Sequence, residues 1–171
     1  MRSFVVYESL FGNTARIAQA VADGMREHID VELHGVAAHP GFEGTDLLVV
    51  GGPTHAFSMS RVTTREDAVK QGAQADSSIG LLVWLDELSE GNGTLFAAFD
   101  TRVEIVRRLP GSAAKAAAKV ARKRGYQPLT RPESFYVQDT PGPLLDGEVQ
   151  RAEVWGAQLA ESMAGEVRDW G

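Results

Sequence analysis

Between Asp46 and Gly52 the chain reads DLLVVGG, apolar at odd and even positions alike. A strand with two apolar faces must be covered on both, which puts it inside a parallel sheet between two layers of helices. Short β-branched or aromatic runs recur at Ser3–Glu8, Thr94–Phe99 and Ser134–Gln138, with a weaker one at Val31–Val36. Helical periodicity fills the gaps over Thr14–Ile29, Thr64–Gln71, Ile79–Glu90, Ser112–Arg124 and Asp146–Ala164. In the third of these, Leu81, Leu82, Leu85 and Leu88 form the buried side. Strands alternating with helices mean βαβ units with right-handed crossovers. The expectation is an α/β fold, a three-layer α/β/α sandwich on a five-stranded parallel sheet, as one domain over residues 1–171. In such sheets a ligand sits outside the carboxyl ends of the strands, so the loops after the first, third and fourth strands are where chemistry belongs.

Composition narrows the chemistry. The chain has no cysteine, so disulfides, thiolate metal sites, iron–sulfur clusters and cysteine nucleophiles are excluded. Its four histidines, His28, His34, His39 and His55, show no paired-ligand spacing, and no metal is expected. The apolar run at the N-terminus is too short for a signal sequence, and no stretch is long enough to cross a bilayer, so the expected location is cytoplasmic. Net charge is −6, unevenly spread: residues 101–132 hold nine basic side chains and one acid, making that segment +8 and the rest of the chain −14. Ser112–Arg124 is alanine-rich, opens on a capping serine and carries most of its cations late, as a solvated helix face would. That reading is preferred to a nucleic-acid footprint, since the acidic remainder disfavours polyanions.

The loop leaving the first strand reads Ser9, Leu10, Phe11, Gly12, Asn13, Thr14 and enters a helix directly. Two hydroxyls, an amide and several backbone N–H groups can converge there on one anion, aided by the helix dipole. No Lys or Arg lies within it, which suits a phosphate monoester in a buried pocket better than a triphosphate with magnesium. The Walker spacing is absent. The same residues also make a plain tight turn with Thr14 as the helix N-cap.

Following Val5-Val-Tyr-Glu8, this loop resembles the phosphate loop of flavodoxins, T/S-x-x-G-x-T. The exit of the third strand, Val49-Val-Gly-Gly-Pro-Thr-His55, resembles their G-x-P-T entry to the loop that lines the flavin, and Gly142–Glu148 fits the lead into the last helix. No long insertion splits the fifth strand, as in the short-chain class. The resemblance implies strand order 2-1-3-4-5 and FMN as cofactor. It implies that Ser9, Gly12, Asn13 and Thr14 hold the FMN phosphate, with N–H groups from Leu10 and Phe11 and a contact from Thr54. It further implies that the loop from Pro53 through Thr54, His55, Ala56 and Phe57 covers one face of the flavin ring, His55 and Phe57 being candidate stacking groups. A third loop, Asp100-Thr101-Arg102, would meet the pyrimidine edge. Many flavodoxins carry a Tyr or Trp in that third loop; here none occurs between Asp100 and Gly125, so the outer flavin face is open, or covered by Arg102 or a partner chain.

A receiver domain shares this architecture but needs an aspartate after the third strand, where Gly51-Gly52 stands. Gly91-Asn-Gly93 precedes a strand and is no dinucleotide fingerprint, and there is no nucleophile elbow. Three readings stay open. The first is a non-enzymatic electron carrier of flavodoxin type, shuttling electrons between redox partner proteins with basic faces. The second is an FMN-dependent oxidoreductase of quinone-reductase type. The third is a flavodoxin-like binding module without FMN.

Overall fold

Successive residues of the central strands divide between two cores. Val5, Leu47, Val49, Ala97 and Phe99 pack on one side with Ile17, Val21, Met25, Trp155 and Leu159. Phe4, Val6, Leu48, Val50, Phe96 and Ala98 pack on the other with Leu81, Trp84, Leu85, Ala114 and Ala117. This alternation follows from the period of two along a strand, and it is what makes three layers. The computed structural model describes residues 1–55, 59–72 and 80–169. Its elements are β1 (Arg2–Tyr7), α1 (Asn13–Arg26), β2 (Asp30–Gly35), β3 (Leu47–Pro53), α2 (Val62–Lys70), α3 (Leu81–Asp86), β4 (Leu95–Val103), α4 (Ala113–Lys123), β5 (Gln127–Pro128), β6 (Glu133–Val137) and α5 (Glu148–Asp169).

The sheet is parallel, in the order β2-β1-β3-β4-β5, with β6 also paired to β4. The expected strand order 2-1-3-4-5 is therefore observed, but the fifth strand is made of two pieces. Phe96 pairs with Pro128 and Phe99 with Glu133, so three steps along β4 face five along its edge neighbour. Residues 129–132 loop out to absorb the difference. No helix among the described residues is long and apolar enough to cross a membrane.

Three boundaries differ from expectation. α3 spans Leu81–Asp86 and is shorter than Ile79–Glu90, with Trp84 buried where Leu82 was expected and Leu82 half-buried; Ile79 lies outside the described residues. Its C-terminal carbonyls are taken from outside, because the Arg124 guanidinium donates to Leu88 O at 2.6 Å and to Asp86 O. α1 begins at Asn13, with Gly12 as N-cap at φ 90°, so Thr14 is the second helical residue and not the cap. β4 continues through Val103, four residues past Phe99. Asp100, Thr101 and Arg102 are thus strand residues and not a loop, because β6 pairs with all three and β3 with Asp100 and Thr101.

Candidate functional site

At the carboxyl ends of β1, β3 and β4 lies a cavity of about 210 Å³. It gathers Leu10, Phe11, Asn13 and Thr14 from the first loop, Pro53, Thr54 and His55 from the end of β3, and Thr101 and Arg102 from β4. Val103, Val137 and Thr140 complete the wall and were not anticipated; Thr140 comes from the loop after β6. Ser9 and Gly12 line an adjoining hollow of about 420 Å³, which shares Leu10 and Phe11 with the first. Asp100 is fully buried and is not part of the lining. Ala56 and Phe57 lie outside the described residues.

The first loop is built to present donors. Gly12 takes a left-handed conformation with open space where a side chain would begin, and its N–H donates to Ser9 Oγ at 3.1 Å. The N–H groups of Leu10, Phe11, Asn13, Thr14 and Ala15 find no acceptor among the described residues. They are the unsatisfied first donors of a helix, gathered with the loop that leads into it. Thr14, buried to 2% exposure, holds Thr101 Oγ1 at 2.7 Å. One hydroxyl donates in that pair, which leaves the other a proton for a ligand.

Gly142 closes over the loop. A Cβ there would lie 2.9 Å from Asn13 Oδ1 and 3.1 Å from Nδ2, and its φ is 108°. Gly142→Ala is therefore expected both to strain the backbone and to push the Asn13 amide aside, lowering stability by about 1–2 kcal/mol. A urea midpoint unchanged from the parent would show that the two loops do not meet so closely.

Two residues assigned by sequence serve a structural end as well. The Thr54 hydroxyl accepts from Ala113 N at 3.0 Å, and Asp100 Oδ2 accepts from Ala114 N at 3.0 Å. With Ser112 Oγ accepting from Lys115 N at 3.1 Å, they satisfy the start of α4. Arg102 is turned into the segment that follows β4. Its guanidinium donates to Val106 O at 2.7 Å, Gly111 O at 3.2 Å and Leu109 O at 3.4 Å. It braces residues 104–111, while Arg102 also lines the cavity.

Sequence reasoning missed the buried cluster beside the cavity. Glu8, only 4% exposed, accepts from Leu81 N at 2.9 Å and from Ser60 Oγ, which in turn takes Arg65 Nη1 at 3.2 Å. The cluster ties the first loop to α2 and α3. A charge directly after an apolar strand was the available signal for Glu8; nothing local marked Ser60 or Arg65.

Burial holds the His55 imidazole below its ordinary value of 6.5, with Glu8 opposing and Arg65 adding to the shift. A depressed folded-state value means the unfolded chain takes the proton first. The stability owed to neutral His55 is then present above about pH 6.5 and is lost as pH falls from there through the folded value. The His55 ring protons should titrate by NMR with a midpoint below 6.5; a midpoint at or above it would contradict the burial.

Two nitrogens of residues that line the cavity, His55 Nε2 and Arg102 Nε, are buried without a hydrogen-bond partner among the described residues. The uncharged donors of the first loop suit an anionic group such as a phosphate, and an unpartnered buried nitrogen leaves hydrogen-bonding capacity for a ligand.

No family model and no curated protein matches the sequence. Solved structures do match. A flavodoxin from the domain Archaea superposes with a TM-score of 0.66 at 19% identity, over 96% of this chain and 99% of that one. The chain has the flavodoxin fold. The Streptococcus pneumonia TIGR4 flavodoxin is similar at a TM-score of 0.67 and 18% identity, covering 97% of this chain and 99% of that one. The Flv1 flavodiiron core from Synechocystis sp. PCC6803 matches at 0.64 and 17% identity, over 97% of this chain but 36% of its own. The flavodoxin fold thus occurs both as a whole protein and as part of a larger one.

Proposed function

We propose that this flavodoxin-fold chain binds FMN at the carboxyl ends of β1, β3 and β4 and works as a cytoplasmic electron carrier between redox proteins. The observation that carries the reading is the first loop, with its uncharged backbone donors and the buried Thr14–Thr101 hydroxyl pair facing one cavity. Bound FMN would supply reversible one- and two-electron storage. The chain's own part is to hold the phosphate with the loop donors and a threonine proton, and to meet the flavin with His55 and the Arg102 backbone region. The acidic bulk of the chain suits partners with basic faces.

Titration of the apoprotein with FMN and with riboflavin, followed by flavin fluorescence, tests this. FMN should bind about a hundredfold more tightly, because only it carries the phosphate. Thr14→Val should weaken FMN by about 1.5–3 kcal/mol and leave riboflavin unchanged. Equal losses for both ligands would refute the phosphate assignment, and uptake of neither would refute FMN binding. Because Arg102 is committed to its own segment, the outer flavin face would stay open, which favours the oxidoreductase as a second reading. Turnover of a quinone with NAD(P)H by the FMN-loaded protein separates it from the carrier.

A further inference from the structure

Where the edge strand breaks, a groove of about 840 Å³ opens between α4 and residues 128–132. Lys115, Lys119, Arg122 and Lys123 line one side and Arg131 the other, all exposed. None of the five forms an ion pair among the described residues, and no acid occurs from 105 to 132. Three of the four other basic groups of the same segment are engaged, Arg102 with three carbonyls, Arg107 with Glu104 and Arg124 with the end of α3, whereas Arg108 is exposed.

A solvated helix face does not account for this arrangement. Lys115 stands in the first turn of α4, where a cation opposes the helix dipole, and Lys115, Lys119 and Lys123 repel one another at four-residue spacing. The floor between the cations is apolar, made by Ala118, Pro128 and Pro132. The N–H groups of Thr130 and Arg131 find no acceptor among the described residues.

We infer that this groove docks an extended acidic segment of a partner protein, in which carboxylates alternate with apolar side chains. The cations take the carboxylates and the floor takes the apolar groups. From Lys115 to Lys123 the helix advances about 12 Å, the length of roughly four extended residues. A nucleic acid fits less well, because its phosphates gain nothing from an apolar floor and no aromatic ring lines the groove for a base to stack on. The inference is independent of FMN.

Fluorescence anisotropy of the full chain tests it, with a fluorescein-labelled aspartate–leucine repeat peptide as probe. Binding should saturate and weaken as salt rises. The exposed double variant K119E/R122E should keep its circular-dichroism melt and bind about tenfold more weakly. An aspartate–serine peptide of equal charge should bind about fivefold more weakly than the leucine peptide. Any of four results would overturn the proposal: no binding, equal affinity for both peptides, tighter binding of oligothymidine, or self-association of the chain that the double variant abolishes.

Discussion

Replacing Gly156 by alanine is expected to destabilise the fold by about 3 kcal/mol, the upper range for overpacking a well-packed core. Among the described residues α1 and α5 form the most extensive helix pair, and they cross where each presents a glycine to the other's backbone. A Cβ on Gly156 would sit 2.1 Å from Val21 O, and one on Gly24 would sit 1.9 Å from Glu153 O. Both obstacles are backbone carbonyls, which cannot rotate away as a side chain can. The helices must separate, and Val21, Met25, Trp155 and Leu159 lose packing around the crossing. Urea denaturation should show a lower midpoint at unchanged slope. The double variant Gly24→Ala/Gly156→Ala should cost less than the sum of the two single changes, since one separation relieves both overlaps. Additive losses would mean that each clash is resolved locally.

Arg102→Leu should cost about 2–4 kcal/mol and release residues 104–111. Arg102 is 5% exposed and has no carboxylate partner among the described residues, so its charge is satisfied by the carbonyls of Val106, Leu109 and Gly111. Leucine would fill much of the space but leave the carbonyls of Leu109 and Gly111 without a donor, and that of Val106 with Leu109 N alone. Lysine would not rescue, because a single ammonium cannot reach three diverging acceptors as a guanidinium does. The segment beyond already exposes Ile105 to 90%, so its order depends on this brace. Trypsin cleavage at Arg107 and Arg108 should accelerate together with the fall in urea midpoint. A variant as resistant as the parent would show that the segment holds itself.

The path from sequence to site is uneven for a physical reason. The all-apolar run at 47–50 names a central parallel strand, because nothing else tolerates two apolar faces. The first loop declares its donors through a glycine, an amide and hydroxyls set between strand and helix, and Ser112 caps α4 as its identity suggests. Asp100-Thr101-Arg102 misleads because polarity there reads as a loop. Pairing by β3 and β6 keeps those residues in the sheet, where Asp100 meets Ala114 N, Thr101 meets Thr14 and Arg102 meets carbonyls of the segment that follows.

Periodicity, capping and turn chemistry act within about ten residues, and they determined the layers, the succession of strands and helices and the position of the donor-bearing first loop. The tertiary structure alone decided what depends on segments far apart in the chain. It brought Glu8 to Ser60 and Leu81, Gly142 onto Asn13, and Gly24 and Gly156 to a helix crossing. It also split the edge strand, since only the register against β4 reveals the two surplus residues that open the basic groove. Such contacts arise from where whole elements come to rest, and no local pattern of residue types encodes that distance.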